Sequence, residues 1–414
     1  MWTRQDVRKI VQEKIGKDLL IVVSNREPYI HRFEGEEIVC QSALSGLTVS
    51  LDPVMQACGG TWIAHASGEA DRKAVDAHDR VRVPPENPSY ALRRVWLTKE
   101  EEDGYYYGFS NTALWPLCHI TYTRPTFNEC DWDTYRAVNK KFAEVVLDEV
   151  KNRNAFVFIQ DYHFTLLARH LQKPNIYKAL FWHIPWPNPE AFRICPWGEE
   201  ILDGMLGNDL LGFHIQHHCQ NFLSTVDRML EAKVDHERSE ITREKHTTRV
   251  HPFPISVDFD AITEHASSKE VVQEMEEIRR RYGLRDKIIG LGVDRVDYTK
   301  GIPEQFQALD RFLERYPKYQ GKLTIVEIGV PSRTHLPMYQ RVNDEIDQLV
   351  ESINWKYQRD NWKPILYLKE LAPSTALRAW YRLADFCIIN SLHDGMNLVA
   401  KEFVSSRCDE DGVL

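Results

Sequence analysis

Short apolar runs alternate with segments of helical period along nearly the whole chain, and that alternation restricts the fold more than any other feature. In the first half the runs are "LLIVVSN" (19–25), "TWIAHAS" (61–67), "ALRRVWL" (91–97), "AFVFIQ" (155–160), "KALFWHI" (178–184) and "LLGFHI" (210–215). Each is long enough for one buried strand and too short for a buried helix. The second half repeats the scheme with "KIIGLGV" (287–293), "KLTIVEIGV" (322–330), "ILYLKE" (365–370) and "DFCIIN" (385–390), separated by helical periods near 302–316, 336–353 and 373–384. Strand, turn and helix in repetition predict parallel sheets covered by helices, the α/β class.

A chain of 414 residues exceeds what one hydrophobic core organises. Between the halves, "HPFPISVDFDAI" (251–262) carries two prolines that interrupt an extended run before the charged helix "SSKEVVQEMEEIRRRYG" (267–283). The expected domains are therefore 1–255 and 256–414, each a doubly wound Rossmann-like sheet. The polar stretches 67–90 and 121–135 read as excursions from the first sheet. Two such domains facing each other leave a cleft lined by the carboxyl ends of both sheets, where ligands bind.

Composition removes several function classes. With 43% hydrophobic and 27% charged residues the chain is expected to fold throughout. A net charge of −9, a pI of about 6.0 and scattered basic residues provide no footprint for nucleic acid. No apolar run approaches the length of a membrane span, and the start "MWTRQDVRKIVQEK" lacks the apolar core of a signal peptide, so a cytoplasmic protein is expected. Eight cysteines without a C-x-x-C pair argue against a zinc ribbon or a disulfide framework and read as free thiols.

The polar motifs follow predicted strands. In "SNREPY", Arg26 emerges at a strand's carboxyl end, where a guanidinium grips an anion with paired donors; a surface salt bridge is the alternative. Gly46 in "ALSGLTVSLDPVM" lets backbone approach a ligand as a helix starts behind it, a weak signal alone. "QDYHF" and "FWHIPWPNPE" bring Asp161 and His183 toward one crevice, although His183 also reads as a hydrogen-bonded core residue. "FHIQHHC" groups His214, His217, His218 and Cys219 at helical spacing, but no acid accompanies them and no metal site is assigned. In "GVDRVDYTKGIPE", Arg295 and Lys300 flank a turn that opens a helix, a place for a diphosphate. The spacing matches neither a Walker loop nor a G-x-G-x-x-G fingerprint. In "HDGMNLVAKE" (393–402), a helix beginning at Gly395 would aim the amides of 395–399 at a phosphate, with Asp394 reaching a polyol and Glu402, two turns on, a ribose. An ordinary helix N-cap accounts for Asp394 alone.

The motifs "SNR", "FSNTALWP", "QDYH", "HIPWP", "LLGFH", "DRVDYTKGIPE", "PSR" and "DGMNLVAKE", in this order and spacing, closely resemble those of the trehalose-6-phosphate synthases over residues 19–412. The resemblance implies the two-domain GT-B glycosyltransferase architecture. It also implies a hexosyltransferase of trehalose biosynthesis that moves glucose, with retention, from a nucleotide-glucose, usually UDP-glucose, to glucose 6-phosphate. No metal or other cofactor is implied, and a homo-oligomer is the family's tendency. On the donor side it assigns Arg295 and Lys300 to the diphosphate, Glu402 to the ribose, and Leu377, Leu398 and Val399 to the nucleotide. Asp394, Gly395, Met396 and Asn397, with His183 and Gly46, fall around the donor glucose.

On the acceptor side it assigns Arg26 and Arg333 to the phosphate, Tyr106, Trp115 and a further tryptophan, Trp62, to the pocket, and Asp161 to the hydroxyls. The residues alone would make those three aromatics core. The resemblance leaves alternatives: a glucosylglycerol-phosphate synthase, whose acceptor is glycerol 3-phosphate, or a non-catalytic regulatory relative. Ser45 and His393 depart from the residues common before Gly46 and Asp394. The chain stops at "SSRCDEDGVL", where the family continues with another strand and helices, so a C-terminally truncated member is the expectation.

Overall fold

The computed structural model describes residues 4–42, 46–370 and 372–414; Ser45 lies outside them. The chain forms two compact units, Met1–Pro254 and Ile255–Leu414.

In the first unit the apolar runs become strands of one ten-stranded sheet. Its strands are β1 (Leu19–Arg26), β4 (Thr61–His65), β5 (Arg80–Val83), β6 (Tyr90–Val95), β7 (Ala155–Gln160), β8 (Ile176–Phe181), β9 (Leu210–Phe213), β10 (Lys233–Asp235), β11 (Glu240–Arg243) and β12 (His246–Pro252), while β2 (Tyr29–Glu34) and β3 (Glu37–Ser42) form a separate antiparallel hairpin. The order is β10-β11-β12-β9-β8-β7-β1-β4-β6-β5, parallel from β12 to β6 with antiparallel additions at both edges. β1 sits between β4 and β7, with Val23 beside Ile63 and Ile159, and Ile21, Val22 and Val23 are buried because both faces of a central parallel strand are covered. The chain winds away from β1 in both directions, which makes its carboxyl end a topological switch point.

Two excursions have structure of their own. Stretch 67–90 contributes the edge strand β5, and the 22-residue helix Glu129–Val150 begins inside 121–135. Its inward face carries Trp132, Tyr135, Val138, Phe142 and Val146, which hides the helical period in the first turns behind polar residues.

A buried charge network fixes the backbone after Arg26. Arg94, 0% exposed, donates from Nε to Glu27 Oε2 at 2.9 Å and from Nη2 to Asp71 Oδ1 at 2.8 Å. Glu27 also accepts from the Ser67 N–H at 2.7 Å. Burial pushes the Glu27 carboxyl up to about 7 against the pull of Arg94.

The second unit has a parallel sheet in the order β15-β14-β13-β16: β13 (Ile288–Arg295), β14 (Leu323–Val330), β15 (Ile365–Leu368) and β16 (Phe386–Cys387). Helices Ile302–Arg315 and Pro337–Tyr357 cover one face through Phe306, Leu309, Ile346 and Ile353. Helices Lys269–Tyr282, Ser374–Leu383 and Leu398–Ser406 cover the other through Ile278, Trp380, Tyr381 and Phe403. Burying each of these large side chains contributes roughly 1.5–3 kcal/mol. Since β13 lies between β14 and β16, the crevice at the carboxyl ends of β13 and β16 is the second switch point.

Candidate active site

In the second unit, β13 ends at Asp294 and Arg295, and the turn through Lys300 leads into helix Ile302–Arg315. Gly301 must be glycine: its φ is +68°, and a Cβ there would stand 2.4 Å from the Asn390 carbonyl. That close approach joins the turn to the loop after β16, with Asn390 Nδ2 donating to Gly301 O at 2.5 Å and Leu392 N to Thr299 O at 2.8 Å.

The loop brings Asp394 to Lys300, whose side chain is only 13% exposed; Nζ lies 2.5 Å from Asp394 Oδ2 and 3.5 Å from Asp294 Oδ1. Burial works against the ammonium, but the two carboxylates outweigh it and hold the lysine above its ordinary range. Burial raises Asp294 to about 6 even though Lys300 pulls it down. Arg295 differs from Lys300: it is exposed, and among the described residues it has no hydrogen-bond or ion-pair partner. Its charge still acts on Lys300 and Asp294. Two cations and two carboxylates thus meet at the end of the strand, and Arg295 is the cation whose donors face solvent and an incoming anion.

The helix in "HDGMNLVAKE" begins later than the sequence suggests, at Leu398. Asn397 caps it, its side chain accepting from Ala400 N at 2.9 Å. The Gly395 N–H is turned onto Asp394 Oδ1 at 2.9 Å, so that amide is spent inside the loop; those of Leu398 and Val399 stand in the first turn. Met396 and Leu398 are half-buried, while Leu377 and Val399 pack on the core around Trp380. Glu402 accepts from Tyr381 Oη at 2.9 Å and lies 3.7 Å from Arg378. Arg333 follows β14 at φ +48° and folds onto Asp297, 3.3 Å away, and Tyr339 Oη, 2.6 Å away.

In the first unit, Arg26 ends β1 while Asp161 and His183 follow β7 and β8, and these three strands are adjacent. Asp161 adopts φ 72°, ψ 177°, a strained region costing roughly 1–3 kcal/mol. Its N–H bonds to Phe181 O at 2.7 Å and its Oδ1 accepts from the His183 N–H at 3.1 Å, so the strain is held from β8. His183 Nε2 lies 3.0 Å from Gln160 Oε1, and with the amide in this orientation Nε2 is the donor. Burial, then His214, push this imidazole down to about 3, and it is neutral at physiological pH.

Arg26 Nη2 donates to Tyr106 Oη at 3.3 Å, joining two of the expected residues. Tyr106 sits on a π-helix, Asp103–Leu114, wider than an α-helix and of a kind common at functional sites. Asn111 Nδ2 ties the Tyr106 carbonyl at 2.6 Å, and Tyr162 Oη donates to Asn111 Oδ1 at 3.1 Å. Trp115 lies against His119 and Tyr162. Asn111, Tyr162 and Gln160 are supporting residues that the sequence reading missed, although Tyr162 and Gln160 border Asp161. Gly46 opens helix Gly46–Cys58.

Trp62, expected at the pocket, is 0% exposed and packs in the apolar cluster around β4. Its Nε1 donates to Ser24 Oγ at 2.7 Å, and Ser24 donates to the Arg26 carbonyl at 2.6 Å. It reaches the site only through that relay.

The model of glycosyltransferase family 20 matches residues 18–414. The chain belongs to glycosyltransferase family 20. A bifunctional trehalose-6-phosphate synthase/phosphatase of Thermoproteus tenax is 38% identical over 95% of this chain and 54% of its own length, so the chain spans about half of that relative. A trehalose-6-phosphate synthase of Mycobacterium ulcerans is 34% identical over 99% of this chain and 83% of its own. A crystal structure of a UDP-forming α,α-trehalose-phosphate synthase from Burkholderia xenovorans, in complex with glucose 6-phosphate, superposes with a TM-score of 0.83 at 26% identity, covering 96% of this chain and 84% of that one. The architecture is that of these glycosyltransferases.

Within this family 20 chain the histidine cluster has other partners. His214 packs on Phe181, His217 contacts Asn221, and His218 Nδ1 accepts from Trp186 N. Among the described residues no group of three His, Cys, Asp or Glu side chains is placed to hold a metal, and no helix is long and apolar enough to cross a membrane.

Proposed function

We propose that this chain transfers glucose, with retention, from UDP-glucose to glucose 6-phosphate and so makes α,α-trehalose 6-phosphate. The observation that carries this reading is the Lys300 ammonium, held by Asp394 and Asp294 beside the exposed Arg295, in a chain of this family. The names of the relatives support donor and acceptor: one is UDP-forming and was crystallised with glucose 6-phosphate.

The second unit takes the donor. Arg295 and Lys300 receive the diphosphate, with the first turn of helix Leu398–Ser406 adding its amides. Glu402 binds the ribose, and Leu377, Leu398 and Val399 border the nucleotide. Asp394, Gly395, Met396 and Asn397, with His183 and Gly46, surround the glucose. The acceptor phosphate falls to Arg26 and Arg333; Tyr106 and Trp115 shape its pocket, and Asp161 faces its hydroxyls. Trp62 acts only through Ser24 and Arg26. The first unit is thus the acceptor domain and the second the nucleotide-sugar domain.

In the transfer, the bond between the anomeric carbon and the diphosphate oxygen breaks and its electron pair leaves with the phosphate. The acceptor hydroxyl attacks from the same face, and its proton passes to the departing phosphate oxygen. Charge develops on that phosphate, and fixed cations stabilise it without rearrangement. A retaining glycosidase would instead need two carboxyls about 5–5.5 Å apart and a covalent intermediate. Neutral His183, its Nε2 proton engaged by Gln160, offers its other nitrogen as an acceptor for a sugar hydroxyl. No side chain is assigned as nucleophile or base. No metal takes part, the positive charge being supplied by Arg295 and Lys300. The same reading is of a cytoplasmic enzyme with its eight cysteines as thiols, a homo-oligomer being the tendency of the family.

The test is UDP release with glucose 6-phosphate and, separately, glycerol 3-phosphate, with the product's anomeric linkage read by NMR. Release with glucose 6-phosphate and an α,α-linked product is expected. Release only with glycerol 3-phosphate, or with neither, contradicts it.

A further inference from the structure

The turn that carries Lys300 and the loop that carries Arg333 share one buried carboxylate. Asp297 is 1% exposed and lies between them. On the turn, its Oδ1 accepts from Thr299 N at 3.0 Å and its carbonyl from Lys300 N at 3.0 Å, closing the backbone that aims the ammonium. On the loop, its Oδ2 accepts from Arg333 Nη1 at 3.3 Å and from Tyr339 Oη at 3.0 Å, while Arg333 Nη1 also reaches Tyr339 Oη at 2.6 Å. Two further bonds join turn and loop, Ser332 Oγ to Val296 O at 2.9 Å and Val296 N to Val330 O at 2.8 Å.

We propose that Asp297 is a positioning residue for both substrates: one carboxylate oxygen, with the backbone carbonyl, shapes the diphosphate grip of Lys300, and the other oxygen sets the guanidinium of Arg333 for the acceptor's phosphate. This rests on the functional reading above. Asp297 itself touches neither substrate. An arginine side chain has many rotamers, and at φ +48° the Arg333 backbone is itself in an uncommon region. A buried anion with a hydroxyl beside it selects one of those arrangements in advance, so the cost of ordering is not charged to binding.

The two oxygens can be separated by substitution. In Asp297→Asn the amide oxygen still accepts from Thr299 N–H, but the nitrogen places a donor against the Arg333 donor. The expected result is a KM for glucose 6-phosphate raised about tenfold or more, with kcat at saturating acceptor and the Kd of UDP, measured by calorimetry, each within about threefold of the parent. Asp297→Ala removes both oxygens and is expected to weaken UDP about fivefold or more as well. Tyr339→Phe keeps the charge, loses the hydroxyl, and is expected to raise the acceptor KM several-fold with UDP binding unchanged, which tests the loop even where Asp297→Asn does not fold.

An acceptor KM in Asp297→Asn within about twofold of the parent overturns the proposal. So does a loss of UDP affinity in Asp297→Asn equal to the loss on the acceptor side, since that is a collapse of the turn. If the parent does not transfer to glucose 6-phosphate, the functional reading fails instead, and UDP calorimetry on the Ala and Asn variants still decides the donor half of the proposal.

Discussion

Glu327 lies in the middle of β14, 1% exposed, in a run that is otherwise apolar. It packs across Gly292 of β13, where a Cβ would stand 1.9 Å from Glu327 Oε2, so glycine is what makes the room. Its hydrogen bond comes from Gln305 Nε2 at 3.2 Å, and Oε1 has no partner among the described residues. Burial, reinforced by Asp294, pushes the carboxyl up to about 8, and in the folded chain it keeps its proton at neutral pH. A folded pKa above the unfolded one stabilises fully at pH below the unfolded value, and this contribution is lost as pH rises toward the folded value. From about pH 5.5 to about pH 8.5, Glu327 alone should therefore remove about 3 kcal/mol of stability. For a cooperative unit of the second domain's size that corresponds to roughly 6–12 °C in Tm.

The perturbation is Glu327→Gln, which cannot ionise. Calorimetric melting of both proteins at the two pH values gives a double difference in which titrating groups that do not interact with Glu327, Glu27 among them, cancel. The parent should lose markedly more Tm than the variant on going to the alkaline pH. The absolute Tm of the variant carries no weight, because a buried amide brings its own unsatisfied donors. Equal losses in the two proteins would refute the argument, since they would mean that Glu327 ionises without cost.

Further outcomes follow from other sites. Lys300→Ala and Arg295→Ala should each lower kcat by at least about tenfold, and the lysine substitution by about 100-fold, because a fixed charge at a leaving group is worth a few kcal/mol; initial rates of UDP release check this, and unchanged rates in both remove the proposed clamp. Arg94→Met strands Glu27 and Asp71 in the core and should cost about 3 kcal/mol in urea unfolding, with a larger loss at alkaline pH, where Glu27 can no longer take a proton; a loss under about 1 kcal/mol contradicts the network's role. Incubation with EDTA should leave transfer rates unchanged, and a rate restored only by added divalent metal would oppose the assignment of charge stabilisation to Arg295 and Lys300.

Much of the fold was legible because the central strands are covered on both faces and therefore read as uninterrupted apolar runs, as in 19–25 and 322–330. The hairpin of Tyr29–Glu34 and Glu37–Ser42 was not, since its exposed and half-exposed positions carry polar residues between the apolar ones. The start of the helix at Leu398 was misplaced because three possible caps, Asp394, Gly395 and Asn397, crowd the segment. Asn397 prevails by reaching Ala400 N, while Asp394 is drawn to Lys300, a partner 94 positions away that local rules do not register. Glu327 was visible as a charge inside an apolar strand. Asp297 was visible only as a letter in "DRVDYTKG", since its meaning depends on Arg333 and Tyr339 arriving from another loop.

The central claim is that the charge at the carboxyl end of β13 receives a sugar nucleotide's diphosphate, and a crystal structure of the complex with UDP tests it most directly. The account predicts phosphate oxygens within about 3 Å of Lys300 Nζ and of the Arg295 guanidinium, with the uridine ribose on Glu402. A diphosphate bound elsewhere, with Lys300 still held only by Asp294 and Asp394, would contradict it.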